Sequence, residues 1–164
     1  MKRAARHRVV LLAGVALLIA LVAWQIYRDR QAAPGALLEL DPGAITHVDL
    51  QIPLAPAEHY MKRDGHWWRI DRGRPIRADD LRLGELVNVA AAPVEDWRDA
   101  DAYDDAKIGL QPPQATLILD GHAVIFGGMT AIGRSAYVQV GQRIGVVSLR
   151  YMPRSAQSKA VKAL

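Results

Sequence analysis

His59-Tyr60-Met61-Lys62-Arg63-Asp64-Gly65-His66-Trp67-Trp68-Arg69-Ile70 consists of two β-favouring arms around an Asp-Gly pair. A two-residue type I′ turn needs positive φ at both central positions, and Asp-Gly supplies it, so the stretch predicts a β-hairpin. In that register Arg63 faces His66, Met61 faces Trp68 and Tyr60 faces Arg69. Alternation puts Met61, Trp68 and Ile70 on one face, expected to be the core face, and Lys62, Trp67 and Arg69 on the other. Trp67, flanked by Lys62 and Arg69, is then a candidate partner surface, since aromatic side chains dominate binding hot spots.

The segments on either side agree with a sheet. Ile45, Val48, Leu50 and Ile52 give a strand stopped by Pro53. Asp79 and Asp80 open a segment through Ala92 in which Leu83, Leu86, Val87 and Ala90 recur at helical spacing before Pro93. This is one amphipathic helix, with its acids at the positive end of the dipole. Residues 94–108 are acidic, carry Trp97 and Tyr103, and read as a connecting loop. Four short strands follow at Ala115–Leu119, Ala123–Phe126, Ala136–Val140 and Ile144–Leu149, with turns at Asp120-Gly121 and Gly141-Gln142. The expected fold class is α+β, a mainly antiparallel sheet carrying one main packing helix.

Ahead of this domain, Val9 to Trp24 is a run of sixteen residues without a charge, and continuing to Tyr27 gives nineteen. About 20 helical residues cross a hydrocarbon core of about 30 Å, so the run is expected to be a transmembrane helix. Lys2, Arg3, Arg6 and Arg8 precede it, while Arg28, Asp29 and Arg30 after it sum to one positive charge. Lys and Arg favour the cytoplasmic side, which predicts that residues beyond the span lie outside the cytoplasm. A cleaved signal needs a shorter apolar region and small residues at the cut, and the run fits that pattern poorly. The expected division is an anchor over 1–30, an Ala-Pro-Gly linker over 31–43, a domain over 44–152 and a tail over 153–164.

The formal charge of +4 is uneven. Residues 1–30 hold six Lys/Arg against one Asp, giving +5, and the rest hold fifteen against sixteen, giving −1. The domain lacks the cationic excess of a nucleic-acid surface, so no nucleic-acid partner is expected. There are no cysteines, hence no disulfide and no thiolate chemistry.

Chemistry-bearing motifs are sparse. A histidine metal site needs at least three converging ligands, and His59 and His66 lie about 13 Å apart along the hairpin at about 3.3 Å per residue. The acids Glu95, Asp96, Asp99, Asp101, Asp104 and Asp105 lack the order of a calcium loop and are expected to be a solvated cluster. Gly127-Gly128 through Gly133-Arg134 lacks the lysine and hydroxyl of a phosphate loop, and reads as a flexible connection. No serine lies in a nucleophile motif. No catalytic, cofactor-binding or metal-binding residue is assigned, and a carboxylate pair in an envelope hydrolase is the alternative reading.

The strand Ile45-Thr46-His47-Val48-Asp49-Leu50, the Lys62–Ile70 hairpin, Ile108-Gly109-Leu110-Gln111-Pro112-Pro113, Ile125-Phe126-Gly127-Gly128 and Ala136-Tyr137-Val138 occur in this order. Together they resemble the bacterial family called domain of unknown function 4340, over most of residues 40–152. The resemblance implies a membrane-anchored, extracytoplasmic protein of accessory type, since some relatives occur with ABC-type transport or gliding machinery. It implies no catalytic residue. The expected function is a non-enzymatic membrane-anchored binding or accessory protein, its partners being the lipid bilayer and an envelope or transporter protein.

Overall fold

The computed structural model describes residues 35–71, 73–131 and 133–156, together with Leu18, Leu21 and Val22. The chain divides into two compact units, 1–34 and 35–164. In the first, Leu18, Leu21 and Val22 are helical and exposed. Among the described residues no helix is long and apolar enough to cross a membrane, and the span expected over 9–27 lies outside them save for those three.

The second unit is built from β1 (His47–Gln51), β2 (Glu58–Arg63), β3 (His66–Arg69), β4 (Ile76–Arg77), β5 (Glu95–Asp99), β6 (Ala115–Leu119), β7 (His122–Met129), β8 (Ser135–Val140) and β9 (Arg143–Ser148). One helix, α1 (Asp80–Val87), runs on into a 3-10 turn over Asn88–Ala91. The strands form a single antiparallel sheet in the order β4-β3-β2-β1-β6-β7-β8-β9-β5. The mainly antiparallel sheet with one helix that the patterning predicts is therefore present. Asp64 and Gly65 turn the hairpin at φ 52° and 78°, and its pairs are Arg63 with His66, Met61 with Trp68 and Tyr60 with Arg69, as expected.

Which hairpin face is buried is the reverse of the expectation. Trp67 is 4% exposed and Tyr60 2%, whereas Met61, Trp68 and Ile70 stay partly exposed. Alternation fixes which side chains share a face, but not which face receives the helix. Here α1 lies on the Trp67 side, where Leu83, Leu86 and Val87 join Val48, Leu50, Leu117, Leu119, Val124, Phe126 and Val138 in the main core. On the other face Ile108, Leu110 and Ile144 form a second, smaller cluster with Tyr103, Ile125 and Tyr137.

Four further differences follow from long-range pairing. Within the stretch expected as linker, Leu37 and Leu38 are buried, and their N–H groups donate to Ala92 and Ala90 carbonyls. The stretch is apolar enough to pack once a partner edge exists. Within the acidic segment expected as a loop, Glu95–Asp99 is an edge strand on β9, bulged between Glu95 and Arg98. Edge strands tolerate charge on both faces, so alternation gives no signal there. Gly127 and Gly128, expected in a flexible connection, belong to β7. The short edge strand β4 has no counterpart in the expected strands.

Helix α1 is capped by Asp79, whose carboxylate accepts from the N–H groups of Leu81 and Arg82. Gly84 lies in its interior, and a Cβ there would meet no heavy atom within 4 Å. Glycine in a helix interior is less stable than alanine by about 0.5–1 kcal/mol. Gly84→Ala is accordingly expected to stabilise the domain by about that amount in urea titrations. No gain would mean that the space above Gly84 is filled.

Candidate functional site

Trp67 floors a shallow, open depression of about 300 Å³ that is also lined by Gly43, Lys62, Asp80 and Gly84. The Lys62 ammonium sits 5.8 Å from the Trp67 ring centroid and donates to the Gly43 carbonyl at 3.3 Å. Of the three residues expected to form a surface, Lys62 and Trp67 are thus together, with Trp67 buried beneath. Arg69 is engaged elsewhere, where its guanidinium clasps Asp71 at 2.6 and 2.8 Å while both side chains are largely buried. That clasp raises the Arg69 pKa.

Asp80 forms the rim. It accepts from the Trp67 N–H at 2.8 Å and from Arg77 at 2.7 Å, and His66 Nδ1 lies 3.0 Å from it. The Trp67 N–H first, then His66 and Arg77, pull its carboxyl down to about 2. The sign of the linkage follows: a carboxyl depressed in the folded state adds stability that is complete above its ordinary 3.8 and lost as pH falls towards about 2. Asp80→Asn is expected to flatten the acid limb of stability in that window, read from urea midpoints. An unchanged limb would show that Asp80 does not couple to folding.

Under α1 lies a buried polar network that sequence reasoning missed. Arg82 donates to the Glu58 carboxylate at 2.6 Å and to the Tyr60 hydroxyl at 2.8 Å, and Tyr60 donates to Glu58 at 2.7 Å. The Glu58 and Arg82 side chains are 4% and 10% exposed. The network also holds the chain after β9. Arg82 donates to the Arg154 carbonyl at 2.9 Å, and the Ala156 N–H donates to Glu58 at 2.8 Å. The start of the expected tail is therefore docked, while residues 157–164 lie outside the described residues. Burial alone would raise the Glu58 carboxyl, but hydrogen bonds from Ala156, Tyr60 and Arg82 outweigh it and hold it below its ordinary value. Burial and the bond to Glu58 push the Tyr60 hydroxyl up to about 12. Among the described residues every buried side-chain polar atom has a partner.

The second sheet face differs along its length. Over β7–β9 it is covered by the Ile108–Leu110 cluster. Towards β3 it presents Trp68, Met61 and Ile118, which are partly exposed and belong to neither core cluster. Arg77 sits over Trp68 at 5.7 Å. His59 and Asp49 pair across β2 and β1 at 2.7 Å, and His47 lies 3.5 Å from Asp120. Each of these histidines has its own aspartate, and among the described residues no three His, Cys, Asp or Glu gather as a cation site. The acids of 95–105 are likewise divided. Asp96 binds Arg98, Asp104 binds Lys107, and Asp105 accepts from Gln111.

No family model, curated protein or solved structure matches the chain.

Proposed function

We propose that this chain is a membrane-anchored, extracytoplasmic binding or accessory protein without catalytic activity, working with an envelope or transport-related protein partner. The observation that carries the reading is the open part of the second sheet face, where Trp68, Met61 and Ile118 stay partly exposed beside a sheet that is otherwise packed. Aromatic and methionine side chains in a polar surround are favoured at protein contacts. The uncharged run over 9–27, its basic leader and the ordered motifs that resemble the domain of unknown function 4340 family support the placement. The partner surface moves accordingly from Trp67 to the Trp68 side of the hairpin.

The test is affinity recovery of the full-length protein from its native membrane, with mass spectrometry, for the wild type and for a Trp68→Ala, Met61→Ala variant. A partner recovered with wild type, lost with the variant and retained with the exposed-helix control Leu81→Ala supports the reading. Recovery that ignores both substitutions refutes the surface, and a protein recovered alone shifts the weight to the envelope-hydrolase alternative.

A further inference from the structure

The antiparallel order places the β1–β2 loop, the β3–β4 loop, the β7–β8 loop and the chain leaving β9 at one end of the sheet. These connections carry Arg74, Arg134, Arg150 and Arg154, all exposed. The acids nearby are few: Asp71 is held by Arg69, and Glu95 is exposed at the start of β5. The opposite end mixes exposed Asp64, Asp99, Asp101 and Asp120 with exposed Arg63, Arg77 and Arg143. The sheet therefore has one end where exposed arginines outnumber the acids and another where the two signs are mixed, although the unit as a whole is nearly neutral.

Apolar side chains project from the arginine-rich end. Leu54 is 109% exposed and Met129 64%. Leu54 also occupies an unfavourable backbone position. The Ala55 N–H donates to the Ile52 carbonyl at 3.1 Å, which closes a β-turn with Pro53 and Leu54 at its centre, and Leu54 has φ 64°. Proline followed by positive φ is a type II turn, whose third position favours glycine. A leucine there is strained and gains no burial from its own chain.

We infer that this end of the sheet is a docking surface for an anionic lipid bilayer, with the arginines on headgroup phosphates and Leu54 and Met129 entering the interface. The guanidinium groups are spread over three connections instead of converging on one pocket. That distribution matches a field of phosphates better than a single acidic peptide, and apolar tips beside cations are what interfacial binding requires. The inference rests on the anchored reading in one respect, namely that the domain works beside a membrane.

The chain has no cysteine, so a single introduced cysteine reports without background. The experiment uses the full chain reconstituted in phosphatidylcholine vesicles with and without phosphatidylglycerol, each containing nitroxide-labelled lipid. Leu54→Cys carrying a polarity-sensitive dye is expected to be quenched and blue-shifted in anionic vesicles, and Asp64→Cys is expected to be unaffected. Adding Arg74→Glu and Arg134→Glu, or raising the salt so that the screening length falls from about 10 Å to about 3 Å, is expected to remove the Leu54→Cys signal. No quenching at position 54 in anionic vesicles overturns the inference. Quenching that appears only when native membrane proteins are kept also overturns it, in favour of an acidic protein. A label at Ala20→Cys in the same vesicles reports separately on the anchor: quenched there and unquenched at 54, the anchor stands and the lipid surface falls.

Discussion

Arg82→Leu is expected to destabilise the domain by about 3–5 kcal/mol, the loss typical when one partner of a buried ion pair is removed. The size follows from what is left behind. Glu58 keeps its burial and its bonds from Tyr60 and Ala156 but loses the guanidinium paired with it. Leucine fills much of the space, so the cost is mainly an uncompensated charge and not a cavity. The pH dependence separates the two. In the wild type Glu58 lies below its ordinary 4.5, so it adds stability above that value that is lost as pH falls. With Arg82 gone, burial dominates and the carboxyl is expected to rise. The folded state then binds the proton more tightly than the unfolded chain, and the destabilisation shrinks as pH falls. The Arg154–Ala156 segment loses a bond from Arg82, so faster proteolysis there is expected to accompany the loss. Urea titrations across pH on Arg82→Leu, Glu58→Leu and the double variant form the check. The double variant is expected to cost less than the two singles together, because it removes both charges at once. A loss for Arg82→Leu within about 0.5 kcal/mol, as at an ordinary surface site, would rule out a structural role for the network.

The pairing of Glu58 with Arg82 also shows where sequence reading reaches its limit. The Asp64-Gly65 turn made the hairpin legible, because two residues with a demanding backbone geometry fix a register on their own. The helix start was legible for the same local reason, with Asp79 capping what its neighbours' spacing announced. The inverted hairpin face was not legible. Tyr60 and Trp67 compete with Met61 and Trp68 on nearly equal apolar terms, and the decision came from α1, whose first residue Asp80 accepts from the Trp67 N–H. A contact across thirteen residues has no signature in either segment. The same holds for Arg82 and Glu58, twenty-four residues apart, and for β5, whose Glu95-Asp96-Trp97-Arg98-Asp99 carries no alternation because it is an edge. Trp67 illustrates the consequence for function: its identity as a prominent aromatic was readable, but its role depended on which face the helix took.

Gly109→Ala is expected to cost about 2–6 kcal/mol, combining a disfavoured backbone with a steric clash, each of order 1–3 kcal/mol. Gly109 has φ 71°, and a Cβ there would lie 2.7 Å from the Gly128 nitrogen and 3.1 Å from its Cα. Those atoms are backbone, and the Gly128 N–H already donates to the Ile108 carbonyl at 2.7 Å, so neither side can give without breaking that bond. The approach is mutual, since a Cβ on Gly127 would lie 2.7 Å from the Ile108 carbonyl oxygen. This explains the pair of glycines inside β7. They let the segment carrying Ile108 and Leu110 lie flat against the sheet, where it covers Ile144 and Ile125. Gly133→Ala provides the control. Gly133 has φ 74° with nothing within 4 Å of its would-be Cβ, so only the backbone cost of about 1–2 kcal/mol applies. Urea midpoints for the two variants, with tryptophan fluorescence as the probe, separate the contributions. If Gly109→Ala loses no more than Gly133→Ala, the close packing of the Ile108–Leu110 segment on β7 is wrong. In that case the face of the sheet over β7–β9 would be open as well, and the contrast on which the Trp68 surface rests would disappear.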